Sequence, residues 1–228
     1  MISPDEAEEI ADRMAAESIA DGDPTGWFEQ LYAAAEAGET AVPWDRGEPS
    51  RFLTQWAVAR APASAGQRAV VVGCGLGDDA EFVASLGFAT VAFDISPTAI
   101  AIARRRFPRS AVRYQAADLL DPPPEWHRAY DLVVESLILQ ALPDPPRRDA
   151  IDRLGGLVAP GGTLIVIARA REPGQAVQGP PWALTRAEID ALAGNGLEPV
   201  RIEDITEPPW PRRWRAEFRR PLPRSGRS

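Results

Sequence analysis

The chain has 228 residues, 45% hydrophobic and 25% charged, an ordinary globular composition with length for one domain or at most two small ones. Its longest apolar runs, such as Thr163 to Ala168, fall far short of the roughly 18 residues that cross a bilayer, so no membrane partner is expected. With 33 acidic against 25 basic residues, the net charge of −8 repels a polyanionic backbone, so a small molecule is the expected partner and no nucleic acid is.

The opening Met-Ile-Ser-Pro-Asp-Glu lacks the cationic start and apolar stretch of a secretory signal, which sets the cytosol as the expected compartment. Ser3-Pro4-Asp5-Glu6 supplies a cap, a first-turn proline and a glutamate three residues after the cap, predicting a helix that Gly22 closes. Asp23-Pro24 starts a second helix, with Trp27, Phe28, Leu31 and Tyr32 on one face, ending near Gly38. Glu48-Pro49 starts a third, with Phe52, Leu53 and Trp56 inward. From Arg68 short β-rich runs alternate with helices, the pattern of a parallel sheet covered on both faces. Strands are predicted at 68–73, 89–94, 111–115, 130–135 and 163–168, with helices near 79–86, 97–106 and 145–158. Asp121 to Pro124 and Glu172 to Pro181 read as loops, and Thr185-Arg186-Ala187-Glu188 as a capping box for another helix. Two final runs, 197–205 and 213–220, have no helix between them and should pair as an antiparallel hairpin at the sheet edge. The segment Arg212 to Ser228, with seven arginines and the single acid Glu217, reads as a solvated edge strand and a frayed end.

The first strand runs into Gly73-Cys74-Gly75-Leu76-Gly77-Asp78-Asp79 and then a helix. Glycines there let the backbone pass close to a ligand, and a helix N-terminus offers free N–H groups. A dinucleotide fingerprint would want glycine at 78, whereas consecutive carboxylates repel a pyrophosphate but not a ligand with an amino acid end and a sulfonium cation. Asp94, followed by Ile95 and the cap Ser96 at the end of the second strand, is placed to take the two hydroxyls of a ribose. Asp118, just past the third strand, can accept from an adenine amino group while the N–H of Leu119 serves a ring nitrogen. Together they predict an adenosine site.

Residues 66–168, with the Pro160-Gly161-Gly162 turn before Thr163-Leu164-Ile165-Val166, resemble the class I S-adenosylmethionine-dependent methyltransferases. Outside that core, Val42-Pro43-Trp44-Asp45-Arg46-Gly47-Glu48-Pro49 and Gly179-Pro180-Pro181-Trp182 resemble the flanking motifs of the thiopurine S-methyltransferase and plant thiol/halide methyltransferase group. The resemblance implies an α/β, Rossmann-like, seven-stranded sheet with the last strand antiparallel, and an N-terminal helical lid. It implies S-adenosyl-L-methionine as cofactor, S-adenosyl-L-homocysteine as product and a small-molecule methyl acceptor. The donor would lie at Gly73, Cys74, Gly75, Asp94, Ile95, Asp118 and Leu119, with Phe28, Tyr32 and Trp44 around the sulfonium. The expected organisation is one domain over 1–228, comprising a lid at 1–62, a donor-binding core at 66–168, a substrate loop, helix and hairpin at 169–220, and a tail at 221–228. A monomer or weak homodimer is expected. Where thiopurine-type members carry an arginine after the fourth strand's terminal acid, this chain reads Glu135-Ser136-Leu137, leaving Arg169 or Arg171 as substitutes.

The residue inventory narrows the chemistry. One cysteine and one histidine exclude an internal disulfide, a multi-cysteine zinc site and a histidine-rich metal or triad centre, so no metal is expected. All basic residues are arginine, which excludes Schiff-base chemistry and a Walker lysine. Displacement at a sulfonium needs alignment and exclusion of water more than a base. A thiol of pKa about 8.5 is partly ionised near neutrality, so a thiol or thiopurine-like sulfur is the first acceptor expected. Trp44, Tyr32 and Trp182 could hold the cation by ~0.5–2 kcal/mol. Glu135, at the carboxyl end of the fourth strand, stands as a contact to the donor's ammonium group or a weak base, and Trp182, Arg169 and Arg171 as substrate contacts. Cys74 reads as a small packed residue and His127 as a surface one. O- or N-methylation of a small metabolite, a nicotinamide-dependent oxidoreductase and a non-catalytic nucleoside sensor remain open alternatives.

Overall fold

A computed structural model describes residues 2–62, 64–177 and 179–223. Seven strands form one sheet in the order β3-β2-β1-β4-β5-β7-β6, with β1 (Arg68–Val72), β2 (Ala89–Asp94), β3 (Arg113–Ala116), β4 (Tyr130–Ser136), β5 (Val158–Arg169), β6 (Glu198–Ile205) and β7 (Arg213–Arg219). β1 to β5 pair in parallel, and β7 runs antiparallel to both β5 and β6. Four consecutive residues of β1, Ala69 to Val72, are buried, as a strand covered on both faces requires.

Seven α-helices surround the sheet: α1 (Pro4–Ala20), α2 (Gly26–Glu36), α3 (Arg51–Arg60), α4 (Asp78–Ser85), α5 (Pro97–Arg106), α6 (Pro146–Leu157) and α7 (Arg186–Asp190). α3, α4 and α5 pack on one face around Val71, Ala92 and Val134, while α6 and α7 pack on the other around Val70, Val133 and Leu164. A third apolar cluster joins α1 and α2 to Leu76, Ile95 and Ala99, at the rim where the parallel strands end.

The predicted start signals of α1, α2, α5 and α7 act as read. Ser3 and Glu6 exchange both capping-box bonds, at 3.2 and 2.8 Å, and Thr185 with Glu188 does the same for α7. Asp23 accepts from the N–H of Gly26 at 2.8 Å, and Ser96 from that of Ala99 at 2.9 Å. Three features differ from the sequence reading. β3 begins two residues later than predicted, at Arg113. β5 extends back through Pro160-Gly161-Gly162, because Val158 pairs with Tyr130 and the expected turn is absorbed as a register irregularity, with Gly161 at φ +79°. The arginine-rich segment from 213 is no edge strand: β7 is inserted between β5 and β6, so β6 takes the edge and Trp214, Ala216 and Phe218 are buried. Residues 224–228 of the predicted tail lie outside the described residues. No helix among the described residues is long and apolar enough to cross a membrane.

Arg220, at the end of β7, is buried and donates to three carbonyls: Val158 at 2.8 Å, Asn195 at 2.8 Å and Gly155 at 2.7 Å. It ties the end of α6, the start of β5 and the approach to β6 to one guanidinium. Removing it leaves carbonyls unpaired in the interior. Arg220→Ala is expected to lower the unfolding free energy by about 2–4 kcal/mol in urea titrations, with little change in the denaturant slope.

Candidate functional site

A cavity of about 740 Å³ opens at the carboxyl ends of β1 to β5, the side on which open α/β sheets take ligands. The rim of the sheet forms its floor, and α1, α2 and the segment 43–52 form its cover. Two carboxylates hold that cover down. Glu29 of α2 accepts from the Ser96 hydroxyl at 2.5 Å and from the Thr98 hydroxyl and N–H at 2.6 and 3.2 Å, at the positive end of α5. Asp79 of α4 accepts from the N–H of Ser50 at 2.6 Å. Arg106 adds a bridge, 3.0 Å from Asp45 and 3.5 Å from Asp78. The consecutive acids after the glycine loop are therefore used within the protein, one beside an arginine and one under the third helix. Burial pushes the Asp79 carboxyl up to about 6.

The loop after β1 turns through Gly73 at φ +57° and Gly75 at φ +49°, in the left-handed region that favours glycine. A Cβ on Gly73 would meet Ile138 at 2.2 Å, and one on Gly75 would meet the Tyr32 hydroxyl at 2.9 Å. Asp94 fastens this loop. Its Oδ2 accepts from the Gly75 N–H at 2.9 Å and its Oδ1 from the Ser96 N–H at 3.0 Å, and burial pushes it up to about 6. Asp118 and Leu119 also line the cavity. Asp118 Oδ1 accepts from the Leu120 N–H at 2.8 Å, and its Oδ2 takes no hydrogen bond from the described residues. Asp94 and Asp118 thus face a common cleft with the glycine loop. Cys74 is buried in that loop with its thiol pushed well up by desolvation, which leaves it inert.

The aromatic residues singled out in the sequence come together. The Trp44 indole donates to the Tyr32 hydroxyl at 2.9 Å and meets Tyr32 and Phe28 edge-on, with centroids 6.1 and 6.4 Å apart. Trp27, which the sequence placed only on the helix's inward face, stacks on Phe28 at 4.0 Å and joins the wall, its buried Nε1 without a partner. Ile95 and Arg169 are on the wall as well.

Three expected site residues are not. Glu135 is fully buried behind the wall: its Oε1 accepts from the N–H groups of Ile138 and Leu139 at 2.6 and 3.0 Å, so it caps the turn after β4. Arg171 is turned away by Glu188 at 3.1 Å and by the Ala183 carbonyl at 2.6 Å. The Trp182 ring folds back over Gly179 and beside Arg147, 5.8 Å from its guanidinium. His127 is exposed, away from the cavity. The sequence reading also missed Arg46 and Arg213 on the wall. Arg46 stands two residues after Trp44 in a segment already marked as a motif, whereas Arg213 becomes visible only once β7 is docked beside β5.

This arrangement belongs to one class of enzyme fold, and comparison with known proteins agrees. Residues 70–164 match the family described as a methyltransferase domain. A trans-aconitate 2-methyltransferase of Methylobacterium radiotolerans is 33% identical over 194 residues, covering 80% of this chain and 68% of the relative. The probable thiol methyltransferase 2 of Arabidopsis thaliana is 28% identical over 172 residues, 74% of each chain. The N-methyltransferase NodS of Bradyrhizobium japonicum, solved with S-adenosyl-L-homocysteine, shares the fold at 24% identity and a TM-score of 0.61, over 78% of this chain and 92% of that one. The chain belongs to the class I S-adenosylmethionine-dependent methyltransferases. It is an enzyme that uses S-adenosylmethionine, and the oxidoreductase and sensor alternatives fall away.

Glu135 offers a test of its capping role. Its Oε2 has no partner, and burial pushes the group up to about 7 from an ordinary 4.5. A carboxyl raised in the folded state contributes stability that is full below its unfolded value and lost as pH rises through the folded one. Glu135→Gln is therefore expected to match the parent near about pH 4 and to exceed it by about 1–3 kcal/mol near about pH 8, read by thermal or urea unfolding. A large loss of methyl transfer at unchanged stability would instead put the carboxylate in the chemistry.

Proposed function

We propose that the donor lies along the glycine loop, with its ribose at Asp94, its adenine at Asp118 and Leu119, and its sulfonium end toward Tyr32, Phe28 and Trp44. We propose further that the acceptor is a small molecule whose reacting atom is nucleophilic without a protein base: first a carboxylate oxygen, second a thiolate sulfur. An ionised carboxylate has about four acceptor positions. Asp94 therefore retains capacity for hydroxyls beside the two loop N–H groups it accepts from, and Asp118 has Oδ2 available for an amino group. The bound donor supplies an electrophilic methyl group on a sulfonium. The protein's part is to align, to exclude water under the aromatic cover and to hold the acceptor.

The observation that carries the acceptor class is the cavity's wall. The chain has no lysine, its one histidine is exposed elsewhere, its one thiol is sealed, and Glu135 lies behind the wall. Remaining wall carboxylates such as Asp12 are bases too weak to ionise a phenol or to free an ammonium group. An acceptor that is its own anion escapes that limit. The relative named for trans-aconitate supports a carboxylate oxygen. The likeness to a thiol methyltransferase over most of both chains, with the motifs at 42–49 and 179–182, favours sulfur as the second reading. The cavity volume lies within the roughly 300–1,000 Å³ of small-molecule sites, which supports a small metabolite.

Radiolabelled donor incubated with di- and tricarboxylic acids, thiols, phenols and amines is expected to give alkali-labile methyl esters, or thioethers. Transfer confined to phenols or amines would sink the reading. Asp118→Ala is expected to weaken S-adenosylhomocysteine binding about tenfold or more in calorimetry, with a stability cost of no more than about 1 kcal/mol for the lost Leu120 bond. Unchanged affinity would remove Asp118 from the site.

A further inference from the structure

The antiparallel pairing of β5 with β7 places Arg169 directly opposite Arg213, at the rim of the sheet. Residues opposed in this way share a face, and like charges so placed repel. Solvent relieves the repulsion little at Arg213, which is only 4% exposed. Arg213 Nη1 reaches the carbonyls of Pro211 and Arg212 at 3.3 and 3.4 Å, and Arg169 Nε is buried with no hydrogen-bond partner. Arg46, whose guanidinium sits 4.4 Å over the Trp210 ring, lines the same cavity. Burial, then the charges of Arg169 and Arg46, push Arg213 down to about 10.

Several arginines elsewhere are held by carboxylates. Arg147 and Arg171 share Glu188, and Arg212 takes Asp204 and Glu172. Among the described residues, Arg46, Arg169 and Arg213 have no ion pair, and all three face the cavity. One carboxylate, Asp12 of α1, faces Arg169 from the cover beyond ion-pair distance, and Glu8 stands one turn before it. A single group carrying two charges, such as a phosphate, would meet those two acids. A single negative charge on a planar group suits the opposed guanidinium forks.

We infer that Arg169 and Arg213, with Arg46 at the mouth, form a subsite for a carboxylate of the methyl acceptor, so that the substrate class is small carboxylic acids. The inference rests on the donor-site reading above, because it assigns the part of the cavity that the donor leaves open. It applies whether the methyl goes to a second carboxylate or to a thiol on the same molecule. It also explains why two like charges, one of them buried, are kept in register: the ligand supplies the missing counter-charge.

The test titrates protein saturated with S-adenosylhomocysteine, whose own binding is measured first, with succinate, tricarballylate and 3-mercaptopropionate. Tricarballylamide, 2-mercaptoethanol and glycerol 3-phosphate serve as comparisons. At least one of the three acids is expected to bind, more weakly as salt rises, and to lose about tenfold or more in affinity in Arg169→Gln and Arg213→Gln. Arg46→Gln, a change at an exposed position, is expected to weaken binding about threefold or more with the fold intact. S-adenosylhomocysteine affinity should stay within about twofold in all three variants. Binding of none of the acids, equal binding of the uncharged comparisons, tighter binding of the phosphate, or unchanged affinity in the variants would overturn the subsite. Failure of S-adenosylhomocysteine to bind the parent protein would instead overturn the donor reading.

Discussion

The Asp94 carboxylate joins the ends of two strands at one point. By accepting from Gly75 in the loop after β1 and from Ser96 at the start of α5, it holds the glycine turn against the end of β2. That turn can be so tight only because Gly73 and Gly75 adopt positive φ with no side chain to strike Ile138 or the Tyr32 hydroxyl. Burying a carboxylate there is costly, as its raised pKa records, and the two amide bonds offset part of the cost. The same helix start also receives Glu29, so one short stretch, 94–98, positions both the floor of the cavity and its cover. The glycine loop and the cover therefore share a mechanical base.

Charge is distributed with equal economy. Carboxylates hold backbone or hydroxyl donors wherever an element must be fixed: Asp79 on Ser50, Glu135 on Ile138 and Leu139, Glu29 on Thr98. Some arginines away from the cavity are paired, as Arg147 is with Glu188, and Arg220 is surrounded by carbonyls. Three arginines without an ion pair among the described residues, Arg46, Arg169 and Arg213, meet at one wall of the cavity. In an acidic protein such a wall is a local reversal of sign, and short-range attraction, not the net charge of −8, governs what settles there.

The sequence made the glycine-loop side of the cavity legible because its signals are local. A glycine turn, a strand-end acid and a capping serine each act within a few residues, so Gly73, Asp94, Ser96 and Asp118 could be placed before any tertiary contact was known. The arginine wall was poorly legible because it is assembled across strands distant in the chain. Arg213 lies 44 residues after Arg169, and only the insertion of β7 beside β5 makes them neighbours. Glu135 shows the converse error. Its position at a strand end was right, but alternation along β4 and the tight turn at 136–139 aim the side chain at backbone amides behind the wall. Arg171 and Trp182 sit in the segment expected to touch substrate, yet Glu188 and Gly179 fix them elsewhere.

β7 deserves its place as the strand that separates this site from a generic nucleoside cleft. Five parallel strands suffice to carry the glycine loop and the two acids. The antiparallel strand arrives at the rim with its first residue, where the parallel strands present their last, so Arg213 enters the cavity from the opposite chain direction. Its register is fixed independently of any ligand by the burial of Trp214, Ala216 and Phe218 and by Arg220 at the far end. A slip of one residue would turn every one of these side chains to the other face. The apolar packing of the strand thus forces the two arginines into opposition, and on the reading proposed above an anion between them would offset their repulsion.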